Sequence, residues 1–313
     1  MEGKMLVLIF GACVQVFVLS EVWAQNALLS QWLMDNGKRA VREHRFEEAE
    51  EHYIAALKEA TEANPRLADS IVSLTQLYVA QGKPKAAERL FRRALAIEER
   101  NLGPGHPAVA DILNNLGILY HDQKKYEAAE RLHAQALAIQ EKALGPEHPD
   151  VAATLNNLGI QHTAQGKYEV AERLYARALA IQEKALGLEH PDVADTLHNL
   201  AVLYESQRRY AEAEDVHTRA LAIREKYFGP EHPDVAESLT KLAHLYQILG
   251  WYGEAAPLYT RALAIQEKSL GPEHPSVATT LENYGALLRA MKHPDEAEQF
   301  AARAKAIRNR QGS

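Results

Sequence analysis

A histidine followed by proline, with an acid on either side, stands at Glu147-His148-Pro149-Asp150. Imidazole and carboxylate side chains this close together are what acid–base catalysis and metal binding use, so the segment is a candidate site. Its surroundings, however, repeat with it. LGPEHPDVAATLNNLG begins at Leu144, and related segments begin at Leu102, Leu186, Phe228 and Leu270, each 42 residues from the last. A catalytic constellation is assembled once per chain from different segments, whereas a fixed period marks an array of small structural units.

Geometry then decides against metal chemistry for His106, His148, His190, His232 and His274. Packed helices lie ~8–10 Å apart, while zinc ligands all lie ~2 Å from one ion. Equivalent histidines of successive units cannot share a metal. The expected role is structural: the following proline holds the histidine extended, and its ring is offered to a backbone group at a helix start. No HExxH, GxSxG, Walker-type GKS or paired-cysteine motif occurs, so no catalytic residue and no cofactor is assigned. The remaining acids are expected to pair on helix surfaces at i, i+4, as Glu127 with Arg131 and Glu169 with Arg173.

Each period reads as a helical hairpin. Pro149 suits a first helical turn, Val151, Leu155, Leu158 and His162 follow at helical spacing, and Gly166 ends the run. The second helix is predicted from Tyr168 to about Leu186, with Ala171, Leu174, Tyr175, Ala178 and Ile181 on one stripe and Gly187 as its stop. In register, Ala49, Ala87, Ala129, Ala171, Ala213, Ala255 and Ala297 form one column, and Ala56, Ala94, Ala136, Ala178, Ala220, Ala262 and Ala304 another. Seven copies follow, at about 30–63, 68–101, 110–143, 152–185, 194–227, 236–269 and 278–311. A column of small residues on the first helix, Gly37, Gly117, Gly159, Ala201, Ala243 and Gly285, is broken only by Thr75. Small residues at fixed points let two helices approach closely, with one large neighbour filling the hole.

These columns resemble the tetratricopeptide repeat, with Leu116, Gly117, Tyr120, Ala129 and Ala136 at its signature positions and His133 at the second aromatic. The 42-residue period, the LNNLG core and the LGPEHPDVA junction resemble the repeats of kinesin light chains and of similar bacterial proteins. The resemblance covers about residues 30–311. It implies an all-α, right-handed α-solenoid of seven tetratricopeptide helical hairpins that binds peptide segments of a protein partner in its concave groove. No heptad segment for a kinesin heavy chain is present, and the motor role is not carried over.

The bulk numbers agree with a folded, non-basic protein. The 313 residues are 47% apolar and 25% charged with net charge −7, which excludes a disordered chain and offers no basic face to nucleic acid. The amino terminus differs in kind. MEGKMLVLIFGACVQVFVLSEVWA has an early lysine, an apolar run from Leu6 to Leu19, and Val22 and Ala24 before Gln25. That is the pattern of a cleaved secretory signal over residues 1–24, and the run is short for a bilayer, which needs ~20 apolar residues. An exported chain, periplasmic or secreted, is expected, with residues 25–313 as the repeat domain. An uncleaved anchor at residues 6–19, or a lipid anchor at Cys13, are the alternatives. Cleavage would leave no cysteine.

Binding has a visible seat. At 100° per residue, the direction opposite the first-helix core stripe belongs to Ala153, Asn157, Ile160 and Ala164. Down the array that face reads Asn115, Asn157, Asn199, Lys241 and Asn283, whose amides could pair with a peptide backbone of any sequence. The first asparagines, Asn114 and Asn156, fall on the flank and are expected to meet a neighbouring helix. Beside the column stand Asp69, Asp111, Asp122, Asp195 and Glu237 against Lys241 and Arg289, with Ile118, Ile160 and Val202 between. An acidic face with an apolar floor suits extended segments bearing apolar and basic side chains. The plainer alternative is that Asp111 with Asn115, Asp195 with Asn199 and Glu237 with Lys241 satisfy one another on a solvated surface. A non-catalytic interaction scaffold is the expected function, beside a cytoplasmic cargo adaptor of kinesin-light-chain type and, from another class, an enzyme subunit with an unrecognised site.

Overall fold

The computed structural model describes residues 28–29, 31–41, 43, 45–59, 74, 78 and 81–311. The expected signal segment with Cys13, and Asp69 and Thr75, lie outside the described residues, as does the side chain of Ala56. Residues 31–41 are helical and are followed by α1 (Phe46–Glu59), α2 (Pro84–Leu102), α3 (Pro107–Asp122) and α4 (Tyr126–Leu144). Then come α5 (Pro149–Ala164), α6 (Tyr168–Leu186), α7 (Pro191–Ser206), α8 (Tyr210–Phe228), α9 (Pro233–Leu249), α10 (Tyr252–Leu270), α11 (Pro275–Ala290) and α12 (Pro294–Gln311). No strand occurs among the described residues. The chain divides into two compact units, residues 1–145 and 146–313.

The starts of the first helices α3, α5, α7, α9 and α11 are set by a histidine. His106, His148, His190, His232 and His274 are extended, with φ between −81° and −71°, and each Nδ1 accepts the backbone N–H two residues on at 3.2 Å. The ring thus caps a donor that the helix cannot satisfy itself, and proline takes the next place, where no N–H is needed. His148→Ala is expected to lower stability by about 1 kcal/mol and to leave the helix bounds unchanged, measurable by urea denaturation. Glycine ends the second helices α2, α4, α6, α8 and α10. Gly187 has φ 92° and ψ 159°, a region open to glycine alone, and its N–H returns to the Glu183 carbonyl. The turns that lead into α2, α4, α6, α8, α10 and α12 also need positive φ, supplied by Gly82, Gly166 and Gly250 in alternate copies and by Lys124, Arg208 and Lys292 in the others.

Every described member of the two alanine columns is buried, none more than 1% exposed. Gly37, Gly117 and Gly159 of the small first-helix column face the aromatic column as expected, whereas a Cβ on Gly285 would meet only the Ala297 carbonyl at 3.4 Å and Phe300 Cβ at 3.7 Å, because Ala301 stands in the ring's place. A Cβ on Gly117 would meet the His133 ring at 2.6–2.9 Å, and one on Gly159 the Tyr175 ring at 2.5–2.8 Å. In the second unit each second helix packs on its own first helix and on the next one: α6 on α7, α8 on α9 and α10 on α11. Val193, Ala194 and Leu197 of α7 therefore share one core with Ala220 and Ile223 of α8, and with Leu179 of α6. The first helices also meet directly, α5 with α7 and α9 with α11.

Candidate functional site

In each unit the first helices keep a solvent-exposed arc, as the second helices do. Val202 of α7 is 38% exposed and Ile118 of α3 is 44% exposed, while Ala153 and Ala164 of α5 are open to solvent. Ile160 is only partly on the face, since it leans onto the cluster of Ala171, Tyr175, Leu200 and Leu203. Asp111, Asp122, Asp195, Glu237, Lys241 and Arg289 are exposed, and Asn115, Asn157, Asn199 and Asn283 are half-buried.

The asparagine column is not uniform. Asn115 donates to the Asp111 backbone carbonyl at 2.9 Å, closing on its own helix. Asn199 of α7 donates to Oδ1 of Asn156 on α5 at 3.0 Å. Asn157, Lys241 and Asn283 enter neither a hydrogen bond nor an ion pair, so their polar groups are not spent on the fold. The flanking asparagines do meet neighbours, Asn156 as described and Asn114 by accepting at 2.9 Å from Nδ1 of His133 on α4.

The expected i, i+4 pairs are corrected by the structure. Asp195 does not bond Asn199; its carboxylate takes the guanidinium of Arg224 on α8 at 2.6 Å, and Arg224 also donates to Ser238 Oγ on α9 at 2.8 Å. Glu237 and Lys241 form no ion pair, and neither do Glu127 with Arg131 or Glu169 with Arg173. The outer charges pair across hairpins instead, as Arg219 with Glu183 at 2.6 Å and Arg261 with Glu225 at 2.6 Å. A lysine stem on a neighbouring helix or loop reaches a carboxylate as easily as one four residues along, as Lys226 does with Glu189 at 2.5 Å.

Sequence reasoning missed a second set of fasteners. Tyr204 donates to Glu172 at 3.1 Å and Tyr246 to Glu214 at 2.9 Å, each joining a first helix to the second helix of the preceding hairpin, and Tyr120 to Glu88 at 2.8 Å does the same in the first unit. The signal was present as a glutamate 32 residues before each tyrosine, repeated with the period. Among the described residues no three His, Cys, Asp or Glu side chains are placed to hold a metal ion, and no helix is long and apolar enough to cross a membrane.

Hairpins stacked through alanine columns, with an unspent first-helix face, define a helical-repeat protein. The tetratricopeptide repeat profile matches residues 40–100, 76–142, 108–184, 150–226, 192–268 and 234–310. The chain belongs to the tetratricopeptide repeat family, and its repeats are of the kinesin-light-chain type. The nearly identical TPR-like repeats of a kinesin-light-chain-like protein from Podosopora anserina are 31% identical, with TM-score 0.55, over 66% of this chain and 97% of that one. BtubC of P. vanneervenii is 25% identical over 91% and 92%, with TM-score 0.50. The Rap protein complexed with Competence and Sporulation Factor shares the fold at 17% identity, covering 91% and 76%, with TM-score 0.63. No curated protein matches the chain. As a repeat protein of this family the chain is a protein-interaction scaffold.

Proposed function

We propose that the scaffold is non-catalytic and holds extended peptide segments along the first-helix face, and that the chain is exported. The observation carrying the reading is that, within the second unit, Asn157, Lys241 and Asn283 keep unspent polar groups beside the exposed Val202. A helix-interior asparagine costs up to ~0.7 kcal/mol relative to alanine, so one that ties nothing together weakens the fold unless something outside uses it. The exposed Glu237 and Asp192 favour basic side chains in the bound segment.

Twelve-residue peptides selected from a random library on the full chain provide the probe. Replacing Asn157 and Asn283 with alanine is expected to weaken their binding at least about tenfold, since each lost pair of backbone hydrogen bonds is worth ~1 kcal/mol or more, with the melting temperature unchanged or raised. Asn199→Ala serves as the contrast, lowering the melting temperature because Asn156 loses its donor. Retained binding in the double variant argues for another surface. Export is read from the amino-terminal composition, so the natively produced chain is expected to begin at Gln25; a mass showing Met1, or a lipid on Cys13, contradicts it.

A further inference from the structure

Within the second unit, the link built by Arg224 recurs one hairpin later with its cation missing. Arg224 lies 7% exposed between the Asp195 carboxylate, the Ser238 hydroxyl and the Asp234 carbonyl, at 2.6, 2.8 and 3.4 Å. One period on, the corresponding residues are Glu237, Thr280 and Ser276, so the acid and the hydroxyl are kept, but the arginine is replaced by Gln266. The preceding hairpin shows a neutral solution. There Ala153 stands in place of the acid, and Gln182 accepts from the Thr196 hydroxyl at 2.8 Å.

Gln266 has neither solution. It is 4% exposed, and its Oε1 is buried without a hydrogen-bond partner. Thr280, which should supply the donor, instead meets the Thr240 hydroxyl at 3.3 Å, and Thr240 has already spent its proton on the Ala236 carbonyl at 2.8 Å. Gln266 lines an open cleft of about 340 Å³ between α9, α10 and α11, whose other walls include Asp234, Glu237, Lys241 and Thr280. The cleft holds two carboxylates, Asp234 and Glu237, against one ammonium, Lys241, with the Ser276, Thr279 and Thr280 hydroxyls beside them, so its charge favours a cation. A buried carbonyl without a partner costs ~1–3 kcal/mol, which a ligand donor would recover.

We propose that this cleft is an arginine-side-chain subsite for the bound peptide: the guanidinium enters beside Gln266, as Arg224 lies in the hairpin before, donating to Glu237 and, as the Gln266 amide turns toward it, to Oε1. A planar fork suits two acceptors held at different places better than a lysine ammonium does. The inference rests on the reading that this face takes a peptide segment, and it names one side chain of that segment.

The test uses the full chain and the blocked tripeptide acetyl-Ala-Arg-Ala-amide, with the alanine and citrulline tripeptides as controls, at low salt. The side-chain amide signal of Gln266 is expected to move with the arginine peptide alone. Glu237→Gln should weaken that response about tenfold, as removal of a charge-assisted bond does. Gln266→Arg should fill the cleft from within, raise or preserve the melting temperature and abolish the preference for arginine. Equal responses to all three peptides, or an arginine preference untouched by both variants, would overturn the subsite. If the library-selected peptides move the Asn157 and Asn283 amides while no tripeptide moves Gln266, the peptide face stands and the subsite fails; if the arginine tripeptide moves Gln266 while the library-selected peptides leave both asparagines still, the subsite stands and the asparagine ladder fails.

Discussion

Tyr175→Ala is expected to destabilise the second unit by about 4 kcal/mol, the cost of deleting a buried aromatic ring. Tyr175 is 1% exposed and packs on Ala171, Leu200 and Leu203, so its ring serves its own hairpin and the next. It also fills the space that Gly159 leaves, where a Cβ would come within 2.5–2.8 Å of ring atoms. Its hydroxyl contributes little, since the contact to Thr163 Oγ1 is 3.4 Å long, and Tyr175→Phe should stay within about 1 kcal/mol of the parent. Gly159→Ala should destabilise the parent through overpacking but stabilise the Tyr175→Ala variant, where the added methyl enters a vacated space and alanine is the better helix former. A double-mutant cycle by urea denaturation checks that change of sign. Additive effects would show that the glycine and the ring are not one packing unit.

In the first unit the same place is taken by His133, and acid should find it. Burial, and then the neighbouring His121, push its pKa down from 6.5 to about 4. Nδ1 donates to Asn114, and Nε2 is buried without a partner, so the folded state holds the neutral ring. A lowered pKa means that the unfolded chain binds more protons between about pH 6.5 and 4, and stability falls as pH drops through that window. The loss amounts to about 3 kcal/mol, at 1.36 kcal/mol per pKa unit. His133→Tyr should remove most of this acid loss, because tyrosine already occupies the column at Tyr53, Tyr175 and Tyr259. Tyr259 donates to the residue twelve positions earlier, Gln247, at 3.2 Å; for residue 133 that neighbour is His121, whose Nδ1 is buried and unpartnered. Thermal melts of parent and variant from pH 7 to pH 4 test it, and parallel curves would contradict the assignment.

The contrast between Tyr175 and Arg224 marks what the sequence makes legible. Helix bounds, the small–large pairing and the histidine caps follow from periodicity, because backbone conformation and burial repeat every 42 residues. Long polar side chains obey a different geometry. Asn199 lies on the outward arc of its helix, yet its amide reaches Asn156 because the first helices lie side by side. Arg224 belongs to a column that reads Gln140, Gln182, Arg224, Gln266 and Arg308, and it takes the Asp195 carboxylate that helical spacing had given to Asn199. Which acceptor wins depends on distances between hairpins, and a one-dimensional pattern carries no such distance. The orphaned Gln266 carbonyl is invisible to it for the same reason.

The claim at the centre is that the first-helix face is the binding surface, and site-directed photocrosslinking reads it directly. A benzophenone side chain is placed at Val202 on α7 in one protein and at the exposed Ala222 on α8 of the same hairpin in another. Each is irradiated with the library-selected peptides. The account predicts covalent peptide on the Val202 protein and none on the Ala222 protein. Crosslinking from Ala222, with Val202 silent, would move the binding surface to the second helices and contradict it.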